Sequence, residues 1–469
     1  MFWLALHFSA LSLEIFSRGS DAPEPFAVIE KQGNRSRVKA CNEVASACGV
    51  RPGMPASAAQ ALVTGLIVRS RDIAAEQASL AGLASWAGRF TPAVSLQPPH
   101  GLLIEIGSCL RLHHGFNNLI RQISSGLNEM GYTFTHACAP TPYAAWLMAL
   151  AGKEVAIRES AQIEKVLGAL PVRLLEQSLD TLASLEMVGA HTLGDCMRFP
   201  RAGMARRFGQ GLLDELDRAL GLLPEVREFF VPPPSFERRL ELPWQVHEAE
   251  ALLFASRRLL LELEGYLGLR QSGVLEFDLV CSHEDVPDTV LKVGFAEPTR
   301  ALGRMLLLLR ETLARTRLPA PVHTIMLHAS RIQAMEISNL DMFQDSAGIG
   351  DGNLLLERLR IRLGKDAVFN IAPAADHRPE LAWQHHCLSG KETKSLCKLQ
   401  RPLWLLHKPM PCQKDRLELK SGPERIESGW WDGMDVVRDY YVAQGRNGSR
   451  LWVFRDRSSG AWFVHGLFA

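Results

Sequence analysis

The sequence predicts a multidomain protein of mixed α/β and α+β class. Three observations predict it. Strand-like and helix-like patterns alternate over residues 1–155, a wholly helical stretch occupies 160–222, and a second β-α-β-β-α-β succession runs over 236–330. At 469 residues the chain exceeds what one ordinary core organises, so several domains are expected. The formal net charge is +1, so no global field draws the chain to nucleic acid, and any such contact must come from local patches.

Taken in order, Phe2–His7 reads as a central strand and residues 8–17 carry helical spacing. Phe26–Glu30 is a second short strand. A polar turn over 32–37 follows, then a helix through Ala47 that ends at Gly49-Val-Arg-Pro-Gly-Met. A longer helix is expected over 72–88, strands near 93–97 and 102–106, and a helix over 115–130. In the helical stretch, Leu182–Asp195 reads as a short helix, a glycine-containing turn at Gly189, and the start of another helix at Gly194. A second helical pair runs through Arg206-Arg207-Phe208-Gly209 to Leu220. Val231-Pro-Pro-Pro-Ser is a stiff linker. Beyond it come a strand at 236–242, a long helix over 246–267, strands at 274–281 and 289–294, a helix over 298–316 and a strand at 322–328. Residues 336–352 read as a flexible connector, and 353–469 as a further segment with an aromatic-rich end.

Nine cysteines are scattered without a C-x-x-C pair, so neither a disulfide framework nor a zinc site is indicated. His385, His386, Cys387 and Cys397 lie close together in sequence, but their spacing fits no zinc pattern and an ordinary loop is the expectation. The apolar N-terminus has no basic residue before Arg18, and no uncharged apolar run of 18 residues exists. A buried strand running into a helix is expected there, with no membrane span, in a reduced, intracellular (cytoplasmic) protein.

The succession of parts and several local strings resemble the Y-family DNA polymerases. Gly49-Val-Arg-Pro-Gly-Met looks like that family's fingers motif, and Leu185–Asp195 like its thumb hairpin. The tail strings Gly422-Pro-Glu-Arg-Ile, Gly429-Trp-Trp-Asp-Gly, Arg438-Asp-Tyr-Tyr, Arg450–Asp456 and Trp462–Ala469 resemble the non-catalytic ImuB-type branch. The resemblance implies a palm over 1–24 and 76–158, fingers over 25–75, a helix-hairpin-helix thumb over 159–224 and a little finger over 232–335. It further implies a linker over 336–352 and a partner-interaction region over 353–469. The implied role is an adaptor in damage-induced translesion synthesis (SOS response, induced mutagenesis). Its implied partners are DNA, the sliding clamp, an error-prone replicative-type polymerase and a RecA-like ImuA-type protein, with no cofactor.

Nucleotide addition needs two magnesium ions held by converging carboxylates. The family's Asp-x-Asp pair aligns here with Ala5 and His7, and its Asp-Glu pair with His100 and Gly101, leaving only Glu105 at a position that binds no metal in the family. The helix after the first strand runs on to Glu14, the aromatic gate falls at Ala10, and the triphosphate-gripping Tyr and Arg fall at Glu43 and Ser46. No lysine occurs between Lys39 and Lys153. The chain is therefore expected not to be an enzyme. An active divergent polymerase with ligands drawn from other acids is the alternative. His7 alone beside Ala5 makes a poor site for a softer metal and reads as a core histidine.

Gly189 and Gly194 are expected to let backbone N–H groups approach a DNA phosphate, with Arg198, Arg201, Arg206 and Arg207 as a cationic surface. The plainer reading of the arginines is a solvated helix face. Asn339-Leu340-Asp341-Met342-Phe343 resembles the bacterial clamp-binding pentapeptide, with Leu340, Met342 and Phe343 as apolar anchors. The tail aromatics are either a partner-docking surface or the core of a small β-domain, and both can hold.

Overall fold

The computed structural model describes every residue except 19–23, 34, 336–346, 365–366, 387–400 and 469. The chain divides into two compact units, Met1–Ile361 and Arg362–Ala469.

The first unit begins with β1 (Trp3–His7) and α1 (Leu11–Ser17). A three-stranded sheet follows, built from β2 (Phe26–Gln32), β3 (Arg35–Cys41) and β4 (Ile67–Ser70), with α2 (Glu43–Ala47) and α3 (Ala56–Leu62). Here the expectation of a turn over 32–37 and a helix from there through Ala47 is corrected, because residues 35–41 form a strand. Gln32 pairs with Arg35, so β2 and β3 make a tight hairpin, with Gly33 at φ +62°. The Gly33-Asn34 dipeptide was the available signal for a two-residue hairpin connection. The helix that does form is one turn and a half, capped by the Asn42 side chain on the Ala45 N–H.

The chain then runs through α4 (Ile73–Ala87), β5 (Val94–Gln97), β6 (Gly101–Glu105), α5 (Phe116–Glu129), β7 (Thr135–Ala139) and α6 (Pro142–Leu150). The strands assemble as an antiparallel sheet in the order β5-β6-β1-β7. Alternation along β1 sends Leu4 and Leu6 to one face and Trp3 and Ala5 to the other. The first face meets Leu102, Ile104 and the stripe Leu119, Ile123, Leu127, whose four-residue spacing gives α5 its apolar side. The second face meets α6, whose buried run continues into the core of the helical stretch.

That stretch contains α7 (Ile163–Gly168), α8 (Leu179–Met187), α9 (Leu193–Arg198), α10 (Arg201–Phe208) and α11 (Gln210–Leu220). Ser178 caps α8, and Thr192 with Asp195 forms a reciprocal capping box on α9. Next come β8 (Glu237–Val246), α12 (Leu252–Leu269), β9 (Ser272–Ser282), β10 (Thr289–Thr299), α13 (Leu302–Leu313) and β11 (Val322–Ala334). Strand β11 inserts between β8 and β9, which makes this a split β-α-β sheet of order β10-β9-β11-β8. Helix α14 (Ala347–Leu363) begins inside the segment expected to be a flexible connector, and its Glu357 forks Arg304 of α13.

Helix α12 also closes against α4 and α5. A Cβ on Gly265 would lie 2.6 Å from Trp86 Cα, so the backbones approach closely there, and one on Gly88 would lie 2.5 Å from Leu269 Cδ2, so that side chain fills the space glycine leaves. Leu261 joins the core beneath β1. Arg18 and Glu262 pair at 3.1 Å with side chains 4% and 3% exposed, and Arg238 reaches the same carboxylate at 3.4 Å.

The second unit contains β12 (Asn370–Pro373) and β13 (Trp383–His386) as a pair. It also contains a five-stranded antiparallel sheet of β14 (Trp404–Cys412), β15 (Leu417–Ser428), β16 (Val436–Gly445), β17 (Arg450–Asp456) and β18 (Trp462–Leu467). The sheet order is β14-β18-β17-β16-β15. No helix among the described residues is long and apolar enough to cross a membrane.

Candidate functional site

The strands bearing Ala5 and Glu105 are direct neighbours. His7 pairs with Gly101, Ala5 with Leu103, and Trp3 with Glu105. Ala5 is fully buried in the core shared with α6. Trp146 of α6 stands against this surface: its ring meets His7 edge-on at 5.5 Å, and a Cβ on Gly101 would lie 2.3 Å from its Cζ3. Thr135 lies 3.4 Å from His7 Nδ1 and donates to the Ala149 carbonyl at 2.7 Å. Burial lowers the pKa of His7, and the neighbouring His100 lowers it further. Burial likewise lowers that of His100, whose Nδ1 is buried without a hydrogen-bond partner. Both imidazoles are therefore held toward the neutral form.

The acids around this surface are committed elsewhere. Glu105 accepts from the N–H groups of Phe2 (3.2 Å) and Gly107 (3.0 Å) and from the Ser108 hydroxyl (2.8 Å). Burial opposes its ionisation, but these hydrogen bonds prevail and its pKa is lowered. Glu76 is forked by Arg71 at 2.7 and 2.8 Å, and Arg71 also holds Glu30 at 2.7 Å. Glu14 accepts from the Thr133 N–H at 2.6 Å, and burial raises its pKa. Ala10 sits at the start of α1, Glu43 is exposed at the start of α2, and Ser46 accepts from Arg51. Among the described residues no three His, Cys, Asp or Glu side chains converge on a point fit for a metal ion.

In the helical stretch the two expected turns lie at Gly189 (φ +85°) and Gly209 (φ +91°). Around Gly189 a Cβ would meet nothing, so its left-handed backbone accounts for the glycine. Gly194 differs. A Cβ there would lie 2.8 Å from the Gly168 carbonyl oxygen, so it serves the close approach of α9 to α7. Of the four arginines, Arg198 pairs with Asp195 at 3.3 Å and Arg201 with Asp217 at 2.5 Å. Arg206 and Arg207 are exposed, with no ion pair among the described residues.

The tail aromatics separate into two groups. Tyr440, Trp452 and Phe454 are buried, with Tyr440 stacked on Trp452 at 4.1 Å and bonded to His465 Nδ1 at 2.7 Å. Trp430 and Trp431 are exposed at 79% and 59%. Their loop is tied by Arg378, which binds Asp376 at 2.7 Å and Asp432 at 2.6 Å. Asn339, Leu340, Asp341, Met342 and Phe343 lie outside the described residues, as do Cys387 and Cys397. Sequence reasoning missed Trp146 and Arg378. The first sits in a uniformly apolar run with nothing to mark its orientation, and the second is separated from Asp432 by 54 positions.

The impB/mucB/samB family model matches residues 18–149. Over 458 residues the chain is 28% identical to Protein ImuB of Caulobacter vibrioides in each of two strains, covering 90% of this chain and 100% of that protein. Among solved structures, a Y-family DNA polymerase chimera of Dbh and Dpo4 matches 71% of this chain and all of its own, at 17% identity and a TM-score of 0.41. DinB from Sulfolobus solfataricus matches 72% of this chain and all of its own, at 16% identity and a TM-score of 0.40.

Proposed function

We propose that this chain, an ImuB-type relative of the Y-family polymerases, is a non-catalytic, polymerase-like adaptor in damage-induced DNA synthesis. In this reading it holds DNA through its helical stretch, engages the sliding clamp through Asn339–Phe343, and brings an error-prone polymerase to the lesion with a RecA-like ImuA-type partner.

One observation carries the reading. On the alignment that the resemblance implies, the metal-binding acids would lie on β1 at Ala5 and His7 and at the entry to β6 at His100 and Gly101, and Trp146 occupies the space in front of Gly101. A magnesium pair wants several hard oxygen ligands. This surface offers an indole, two imidazoles held toward neutrality and a methyl group, so the donor set does not fit. Without the metals, several kcal/mol of transition-state stabilisation is missing. The exposed Arg206 and Arg207 support sequence-independent phosphate contact.

Primer extension with magnesium or manganese tests the first half. The expected result is duplex binding without extension; templated extension by the purified wild type would overturn the reading. For the second half, clamp captured by the wild type is expected to be lost in Leu340→Ala/Phe343→Ala.

A further inference from the structure

The charge of this chain is unevenly divided. Residues 362–469 carry 17 Lys and Arg against 12 Asp and Glu, whereas residues 1–361 carry 35 against 39. The cationic excess therefore lies in the C-terminal unit rather than in the larger unit with its helix-turn-helix pairs.

Within the C-terminal unit, the two faces of the five-stranded sheet differ. One holds the buried Tyr440, Trp452 and Phe454. On the other, the strand register sets Cys412, Trp462, Arg455, Asp439 and Arg425 in one row across all five strands. The next row on that face is Met410, Val464, Val453 and Tyr441. Tyr441 and Trp462 meet there at 5.3 Å and are half-buried, while Met410 is 54% exposed.

At one end of this face lies an open groove of about 740 Å³. Leu417, Leu451, Val464 and Cys412 line it, and its charged lining residues are Arg416 and Arg446. Neither arginine has an ion pair among the described residues, and no carboxylate lines the groove. An apolar floor with two unneutralised guanidinium groups complements a ligand that is flat and apolar in one part and anionic in the next. Single-stranded nucleic acid has that alternation: its bases favour apolar and aromatic surfaces, and its phosphates favour arginine. A folded duplex does not, because its bases are stacked inside.

We propose that the exposed rim of this sheet face, from the Arg416–Arg446 groove to the half-buried Tyr441–Trp462 pair, binds single-stranded nucleic acid. The site is built wholly from residues of the C-terminal unit, and the adaptor reading above stands or falls without it.

The test uses the full chain carrying Arg206→Ala/Arg207→Ala, so that the helical stretch contributes least. Anisotropy of a labelled oligothymidylate is followed across a salt series, with and without Arg416→Ala/Arg446→Ala. Removing two phosphate contacts should weaken binding and reduce the log–log salt slope by about 1.4, at about 0.7 per single-strand phosphate. Arg416→Lys/Arg446→Lys should retain the slope. Photocrosslinks from an iododeoxyuridine oligonucleotide should map to residues 410–420 and 441–465. An unchanged slope, crosslinks confined to the helical stretch, or displacement by an acidic peptide but not by the oligonucleotide would overturn the proposal. Thermal unfolding of each variant separates lost binding from lost folding.

Discussion

Gly101→Ala tests the packing on which the functional reading rests. A Cβ at this position would lie 2.3 Å from Trp146 Cζ3 and 2.5 Å from its Cη2. Carbon atoms in contact sit about 3.5–4.0 Å apart, so the overlap exceeds an ångström. The ring has little room to retreat, since Trp146 is 4% exposed and packed within the shared core. Overpacking of this kind costs about 1–3 kcal/mol. Relief of glycine's conformational entropy returns about 0.5–1 kcal/mol. The net expectation is about 1–2 kcal/mol of destabilisation from one methyl group. Trp146→Ala alone should cost about 3–5 kcal/mol through the cavity it leaves. With the ring gone the added methyl meets no obstacle, so the double variant should lose less than the sum of the two by about 1–3 kcal/mol. Urea unfolding followed by far-UV circular dichroism measures all three. Additivity within about 0.5 kcal/mol would refute the reasoning, because Trp146 would then not fill the space before Gly101. By the same packing, Ala5→Asp with Gly101→Glu should fail to restore extension.

Three further outcomes follow from the ion and hydrogen-bond networks. Glu262→Ala strands the buried Arg18 without its carboxylate and should cost about 3–5 kcal/mol in urea unfolding, whereas Arg18→Met/Glu262→Met should cost far less. His465, held down to about 4 by burial, binds fewer protons folded than unfolded between its ordinary value near 6.5 and 4. The C-terminal unit should therefore lose stability as pH falls through that window, seen as faster hydrogen exchange in residues 462–467, and His465→Gln should flatten the dependence. Arg378→Ala removes the ties to Asp432 and the Met434 carbonyl on the Trp430–Trp431 loop and should speed its proteolysis while leaving the buried Tyr440–Trp452 stack in place, as near-ultraviolet dichroism would report.

Strand and helix order was legible wherever periodicity and end signals agreed. In the stretch from Leu182 to Leu220 the turns fall at Gly189 and Gly209, where glycine marked them. The split sheet was legible from the order of its elements. Residues 35–41 form a strand where the end of a turn and the start of a helix were expected, because what defines them is pairing with the strand immediately before. In the candidate site, the residue types at Ala5, His7 and Gly101 were readable, but the indole against them was not. Trp146 arrives from more than 40 positions away, and only tertiary packing decides which way a side chain in an apolar helix points. Gly189 is required by its left-handed backbone and Gly194 by the Gly168 carbonyl packed against it, and a glycine in sequence does not disclose whether its backbone or its missing side chain is the reason for it.

The fit of α12 against α4 bears on how this molecule can be divided. The proline run at 232–234 invites a cut between the front of the chain and the split sheet. Yet Gly265 rests on Trp86, Leu261 completes the core under β1, and Glu262 neutralises Arg18. A fragment ending at that cut would leave an apolar socket and a bare guanidinium facing solvent. The two halves share one core, as subunits of a permanent complex do. Deleting residues 232–335 would then report first on whether the remainder folds, and only afterwards on what the missing part contributed.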